Sequence, residues 1–352
     1  MSRSETVERA RVTVFSSKIE ELLRDRRGAK VFRLDADTVG VADPDLIDNL
    51  LGSRRAHEFE RPTFKPLQGR SIDRAEAADV LHAVSRDVRA ALSGPAPDAV
   101  DLSGIWPRAG HAYLRDLLFG PDPLRFRVLT DRRLERTPAL ARAAIRTSAV
   151  LPGKRDPDAS MSQLAALTVT AAEDHGDRRY AMGLYRRVAA PVCLGVSALV
   201  ANALWLGSPF GADASNRHIV LESLRLLPPS WNILRVASPE FPALDSRIGP
   251  NDDVLLFPLL THRDPDLWDD PDEFRPERWN DLDADNHSAY FPFGHANERC
   301  RGRHMIVPLA EHLLDRIRSE HLAVSPHQTI AKVPLAGLLG VSRVRVSRTR
   351  VT

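Results

Sequence analysis

Cysteine is nearly missing from this chain: its 352 residues hold only Cys193 and Cys300. Two cysteines build neither a disulfide framework nor a multi-thiolate metal cluster. Aromatic residues are sparse, at 6%, and none are interleaved with a long basic run. With a formal net charge of only +2, the composition excludes nucleic acid as an expected partner. The opening stretch MSRSETVERARVTVF has no apolar core, so neither a secretory signal nor a membrane anchor is expected there. A cytoplasmic protein is the expectation. Internal repeats and low-complexity tracts are absent as well, which excludes solenoids and arrays.

What is present is an ordinary globular balance, 43% apolar and 27% charged. The Pro- and Asp-rich stretches 93–101 and 151–160 read as loops, because neither is long or uniformly polar enough for a linker. A single domain over residues 1–352 is therefore expected. The coarse pattern is mostly helical. DPDLIDNLLGS (43–53) opens like a capped helix, and RAEAADVLHAVSRDVRAALSG (74–94) ends on a glycine. Strand patterns are short and peripheral, at 29–42, 252–260 and 342–348.

Residues 188–206, VAAPVCLGVSALVANALWL, form the longest uncharged run. Its length would span a bilayer. Alanine is only weakly apolar, however, and Pro191, Gly195 and Asn202 interrupt the run, so the expectation is a buried central helix with a bend near Pro191. Cys193, inside it, reads as a small buried hydrophobe. ESLRLLPP follows, with Glu222 and Arg225 three apart on one helix face. Such a pair contributes only about 0.2–0.5 kcal/mol on a solvated helix. THRDPDLWDDPDEFRPERW (261–279) is too rich in Pro and Asp for regular structure, and predicts a meander held by Trp268, Phe274 and Trp279. Last comes FPFGHANERCRGRH (291–304), which sets Cys300 between arginines.

In this order the apolar helix, ESLR, the meander and the cysteine loop resemble the cytochrome P450 haem-thiolate enzymes; DPDLIDNLL and LRDLLFGPDP resemble them more faintly. The resemblance implies a mainly α fold with small peripheral β-sheets, a P450-like single domain shortened in its distal region. It implies haem b, with Cys300 as the iron ligand, Phe293 packing near the sulfur, and Gly294 and Gly302 shaping the approach to the porphyrin. A thiolate donates electron density that favours oxygen–oxygen cleavage. Glu222, Arg225 and Arg278 correspond to the family's structural ion-pair triad. Arg235 stands where the family often places a propionate-binding guanidinium; the alternative is a surface arginine in this arginine-rich chain. Arg299 joins the candidate haem contacts. His82 and Arg86 have the spacing of a propionate-binding pair, and the same spacing fits a solvated helix face.

Departures from the family pattern are as informative. Ala296 and Glu298 replace a usual glycine and a usual histidine or arginine of the cysteine loop. The acid–alcohol pair that relays protons to bound dioxygen should fall near Leu194 and Gly195, and neither side chain carries a proton. The chain is several tens of residues short of the usual length, with the losses between Phe64 and Asp101 and between Trp205 and Glu222.

Three functions remain open. One is a monooxygenase of specialised metabolism acting on a small organic molecule, reduced by a ferredoxin-type donor at the proximal face, where Arg299, Arg301, Arg303 and His304 cluster. The second is a peroxide-using or rearranging haem-thiolate enzyme, with Arg186 or Arg187 ahead of the missing pair. The third is a non-catalytic binding module, which a retained Cys300 disfavours.

Overall fold

In the computed structural model the described residues are 10–52, 72, 74–94, 101–119, 175–294, 299–335 and 338–349. The expected loops at 151–160 and over most of 93–101 lie outside them, as do Ala296, Glu298 and the end of LRDLLFGPDP.

Nine helices and nine strands are found among the described residues. The helices are α1 (Ser17–Asp25), α2 (Pro44–Gly52), α3 (Arg74–Ser93), α4 (Arg108–Phe119), α5 (His175–Gly207), α6 (Asn216–Leu226), α7 (Phe241–Leu244), α8 (Pro258–Thr261) and α9 (Arg303–Ser319). Local chemistry sets their ends. Asp43 accepts the N–H of Leu46 at 2.9 Å and opens α2, and Ser215 caps α6 by accepting from His218. Prolines begin α2 and α8, where the missing N–H costs nothing. The double proline 228–229 follows the end of α6.

The strands lie at the edge of the helical body, as the sequence predicts. β1 (Val12–Phe15) pairs in parallel with β8 (Ile330–Val333). A four-stranded sheet runs in the order β2 (Val31–Asp35), β3 (Thr38–Val41), β6 (Asp253–Leu256) and β5 (Ile233–Arg235). A third sheet joins β4 (Gly104–Trp106), β9 (Val344–Arg348) and β7 (Leu322–Val324).

The core forms around α5. Its segment Gly183–Gly207 is long and apolar enough to cross a membrane, yet α3, α4, α6 and α9 all pack on it. Cys193, Val196, Val200, Ala203 and Leu204 are fully buried there. A helix apolar on most sides is what the centre of a large helical body requires. The helix continues unbroken through Pro191. Residues 208–215 separate α5 from α6. At the end of α5, a side chain on Gly207 would collide with the ring of Phe274, so the glycine lets the meander lie against the helix.

Candidate active site

A buried polar cluster starts from Glu222 and Arg225 on α6, both 0% exposed. One carboxylate oxygen of Glu222, Oε1, accepts from Arg225 at 2.7 Å, from Arg278 at 3.1 Å and from the backbone N–H of Arg275 at 3.0 Å. The other, Oε2, accepts from Arg225 Nε and from the indole of Trp279, each at 3.0 Å. Arg225 spends its remaining donors on the carbonyls of His262, Pro271 and Glu273 at 2.7–3.0 Å. All five of its N–H groups are thus satisfied. Its guanidinium also lies 5.1 Å from the centre of the Trp268 ring, a cation–π distance. Arg278 adds bonds to the carbonyls of Asp269 and Asp270.

The three triad residues named from the sequence therefore meet. The bare spacing pointed to a weak surface pair; burial and complete pairing make it a structural centre instead. Trp268 and Trp279 are buried within it, while Phe274 is half-buried against Gly207.

From this centre the chain passes to Cys300. The N–H of Gly294 donates to the carbonyl of Phe291 at 3.0 Å, closing a turn in which Gly294 has φ of +80°, a conformation glycine adopts without strain. The carbonyl of Phe293 then accepts the N–H of Cys300 at 2.7 Å. Gly302 caps α9, and its carbonyl accepts from Met305 and Ile306. A methyl on Gly302 would sit 3.7 Å from the sulfur, in ordinary contact. The thiol is free and exposed. Cys193 is the reverse: fully buried, its thiol pushed up to about 12 by burial.

On α5, Pro191 is exposed and Arg187, Leu194, Gly195 and Ala198 are half-buried, in contrast to the buried residues around them. The spacing places these five on one face. Among the described residues no atom lies within 4 Å of the position a side chain on Gly195 would take. Ser197, the nearby hydroxyl, is turned inward and bonds the carbonyl of Leu194 at 3.0 Å. The open face therefore has space over Gly195 and no proton-carrying group at Leu194 or Gly195.

His82 and Arg86 are exposed, one turn apart on α3. Between them Ser85 is buried and meets His304 of α9 at 3.0 Å. The pair is thus on a helix that abuts the one following Cys300, a proximity the i, i+4 spacing alone did not reveal. His304, expected in the basic surface cluster, is exposed and also joins two helices. Arg299 donates to the carbonyl of Asp285, and Arg303 lies 3.8 Å from the Asp285 carboxylate. Glu311, on the same helix as Arg303, pairs with Arg217. Arg235 is half-buried on β5 and bonds the carbonyl of Leu234.

Residues 217–307, which contain the Glu222 centre and Cys300, match the cytochrome P450 family. Across nearly the whole chain the fold is that of P450 structures. The open form of P450 EryK from S. erythraea matches with a TM-score of 0.58 at 17% identity, covering 94% of this chain and 95% of that one. A zebra fish cytochrome P450 crystallised with abiraterone matches with a TM-score of 0.61 at 13% identity, covering 95% and 100%.

The segment 217–307 is that of the cytochrome P450 family, carried on the fold of P450 structures.

Among curated relatives, cyclooctatin synthase of Streptomyces melanosporofaciens is 36% identical over 91 residues, 25% of this chain and 20% of that protein. Cyclooctat-9-en-7-ol 5-monooxygenase of the same organism is 38% identical over 89 residues, 24% and 19% respectively. The matched segments span about a fifth of these relatives' length. P450 chains bind haem, and the residues here fit that group: an exposed thiol on a cysteine whose N–H is tied to the Phe293 carbonyl, a helix face with space above a glycine, and an exposed guanidinium, Arg86, on α3.

Proposed function

We propose that this chain is a haem-thiolate oxidoreductase that holds haem b through Cys300 and performs oxidative tailoring of a small organic molecule in specialised metabolism. The observation that carries the reading is the free, exposed Cys300 thiol on a loop tied back to Phe293. Haem held by a thiolate supplies oxygen-transfer chemistry from dioxygen or peroxide.

The protein's residues do the rest. Cys300 binds the iron, Phe293 and Gly302 border the sulfur, and Gly294 shapes the turn leading to it. His82, Arg86, Arg235 and Arg299 are the basic side chains proposed to meet the two propionates, where a guanidinium gives paired, charge-assisted bonds. Leu194 and Gly195 would border the space shared by a bound haem and substrate. Because Leu194 and Gly195 hold no proton and Ser197 is turned inward, the protons that dioxygen activation consumes come from water or from the substrate. Arg301 and Arg303, both exposed beside the loop, favour an acidic ferredoxin-type donor. One cytoplasmic domain over 1–352 completes the proposal.

The missing relay on α5 favours one second reading, turnover with peroxide, which brings its own protons. Titration with NADPH and a surrogate ferredoxin pair at low and high salt, followed by titration with hydrogen peroxide, separates the two. Salt-sensitive reduction and substrate oxidation with the ferredoxin pair support the monooxygenase. Turnover with peroxide alone contradicts it and supports the second reading.

A further inference from the structure

The segment leading into the cysteine loop is held at Phe291 by a side chain that the triad does not include. His262 is wholly buried. Its Nδ1 lies 3.2 Å from the carbonyl oxygen of Arg225, and its Nε2 lies 3.0 Å from the backbone nitrogen of Phe291. These partners fix the ring's proton. A carbonyl only accepts, so Nδ1 carries the hydrogen; a backbone N–H only donates, so Nε2 offers its lone pair.

Burial first, and then the Arg225 charge, lowers the imidazole pKa to about 3, so the ring is neutral at ordinary pH. His287 and Arg263, the other titratable groups acting on it, push in the same direction. The ring packs against Tyr290 and Phe291, each with centroids 5.3 Å away. Tyr290 is itself bonded to the carbonyl of Leu221 at 2.9 Å.

A continuous line of bonds follows. Glu222 holds Arg225, and Arg225 and His262 exchange side chain-to-carbonyl bonds in both directions. His262 accepts from Phe291, the Phe291 carbonyl closes the turn onto Gly294, and the Phe293 carbonyl accepts from Cys300. We propose that His262 is a positioning residue for the thiolate: by accepting the Phe291 N–H it sets where the loop presents the Cys300 sulfur. This rests on the haem-thiolate reading, and extends it from the ligand to what aims the ligand.

Two substitutions divide the ring's two bonds. His262→Gln can return an acceptor near the Nε2 position while losing the donor to Arg225. His262→Asn can keep a donor near the Nδ1 position while leaving the Phe291 N–H unpaired. The readouts are the fraction of reduced, carbon monoxide-bound haem that shows the red-shifted band of a thiolate ligand, and the melting temperature. The glutamine variant should retain most of the thiolate band, and the asparagine variant should lose it several-fold at a comparable melting temperature. Equal fractions in the two variants, whether both retained or both lost, would overturn the proposal. If the asparagine variant yields no folded protein, the glutamine variant decides: a retained band supports the role and a lost band refutes it. A wild-type protein without any thiolate band would instead refute the haem-thiolate reading itself, before either variant is measured.

Discussion

The Glu222 centre and the Cys300 loop lie within one matched segment, yet they are built on opposite terms. Around Glu222 the side chains are sealed from water and each donor of Arg225 ends on an acceptor within the protein. At Cys300 the thiol is exposed, and on α5 a helix face is left open over Gly195. The two cysteines repeat the contrast, since Cys193 is inert by burial and Cys300 is not. A region whose groups satisfy one another holds shape; a region that leaves groups unsatisfied is where a cofactor and substrate belong.

The largest effect is expected from removing the centre's anion. Glu222→Ala leaves the buried Arg225 and Arg278 without their carboxylate, at a cost of about 3–5 kcal/mol. Soluble yield and haem content should fall together. A stable, haem-replete variant would mean the centre is no more structural than a surface pair.

Acid gives a graded version. Because the folded imidazole of His262 titrates near about 3 and the unfolded one near 6.5, the unfolded chain alone binds that proton in between. Stability is unaffected by this group above pH 6.5 and falls by about 1.4 kcal/mol per pH unit below it, until the folded ring also protonates. Denaturant melts of wild type and His262→Gln between pH 7 and pH 5 should show a shallower decline in the variant. Parallel declines would contradict a buried neutral ring.

A smaller effect, of opposite sign, is expected on the open side. Gly195→Ala meets no described atom within 4 Å and removes a helix glycine, so it should stabilise the protein by about 0.5–1 kcal/mol. Destabilisation in a thermal melt would show that the space over Gly195 is filled by the protein itself.

Much of this was legible in the sequence. The helical body, the short peripheral strands and the buried apolar helix follow from hydrophobic pattern and chain punctuation. Glu222, Arg225, Arg278 and Cys300 follow from four motifs in order. What stayed hidden depends on contacts across long sequence separations. The burial that turns Glu222 and Arg225 from a weak helix pair into a five-bond centre comes from meander backbone about 50 residues away. His262 lay within a quoted motif, but its importance appears only when both ring nitrogens are seen to meet backbone groups of distant segments. The sequence places His304 at the surface, where it is, but nothing local shows that it also reaches Ser85. A histidine between an apolar run and an Arg-Asp-Pro turn was the available clue to His262, and it indicates burial rather than purpose.

The central claim is that the open region is completed by a haem held through Cys300, and one measurement addresses it directly. Wild type and Cys300→Ser are purified alike, reduced, exposed to carbon monoxide and compared by absorption spectrum. Because Cys300 is exposed, the substitution should change apoprotein stability by no more than about 0.5 kcal/mol. Wild type should show the strongly red-shifted Soret band of a thiolate-ligated haem, and Cys300→Ser should lack it while remaining folded. A serine variant that keeps the band, or a wild type that never shows it, would contradict the account.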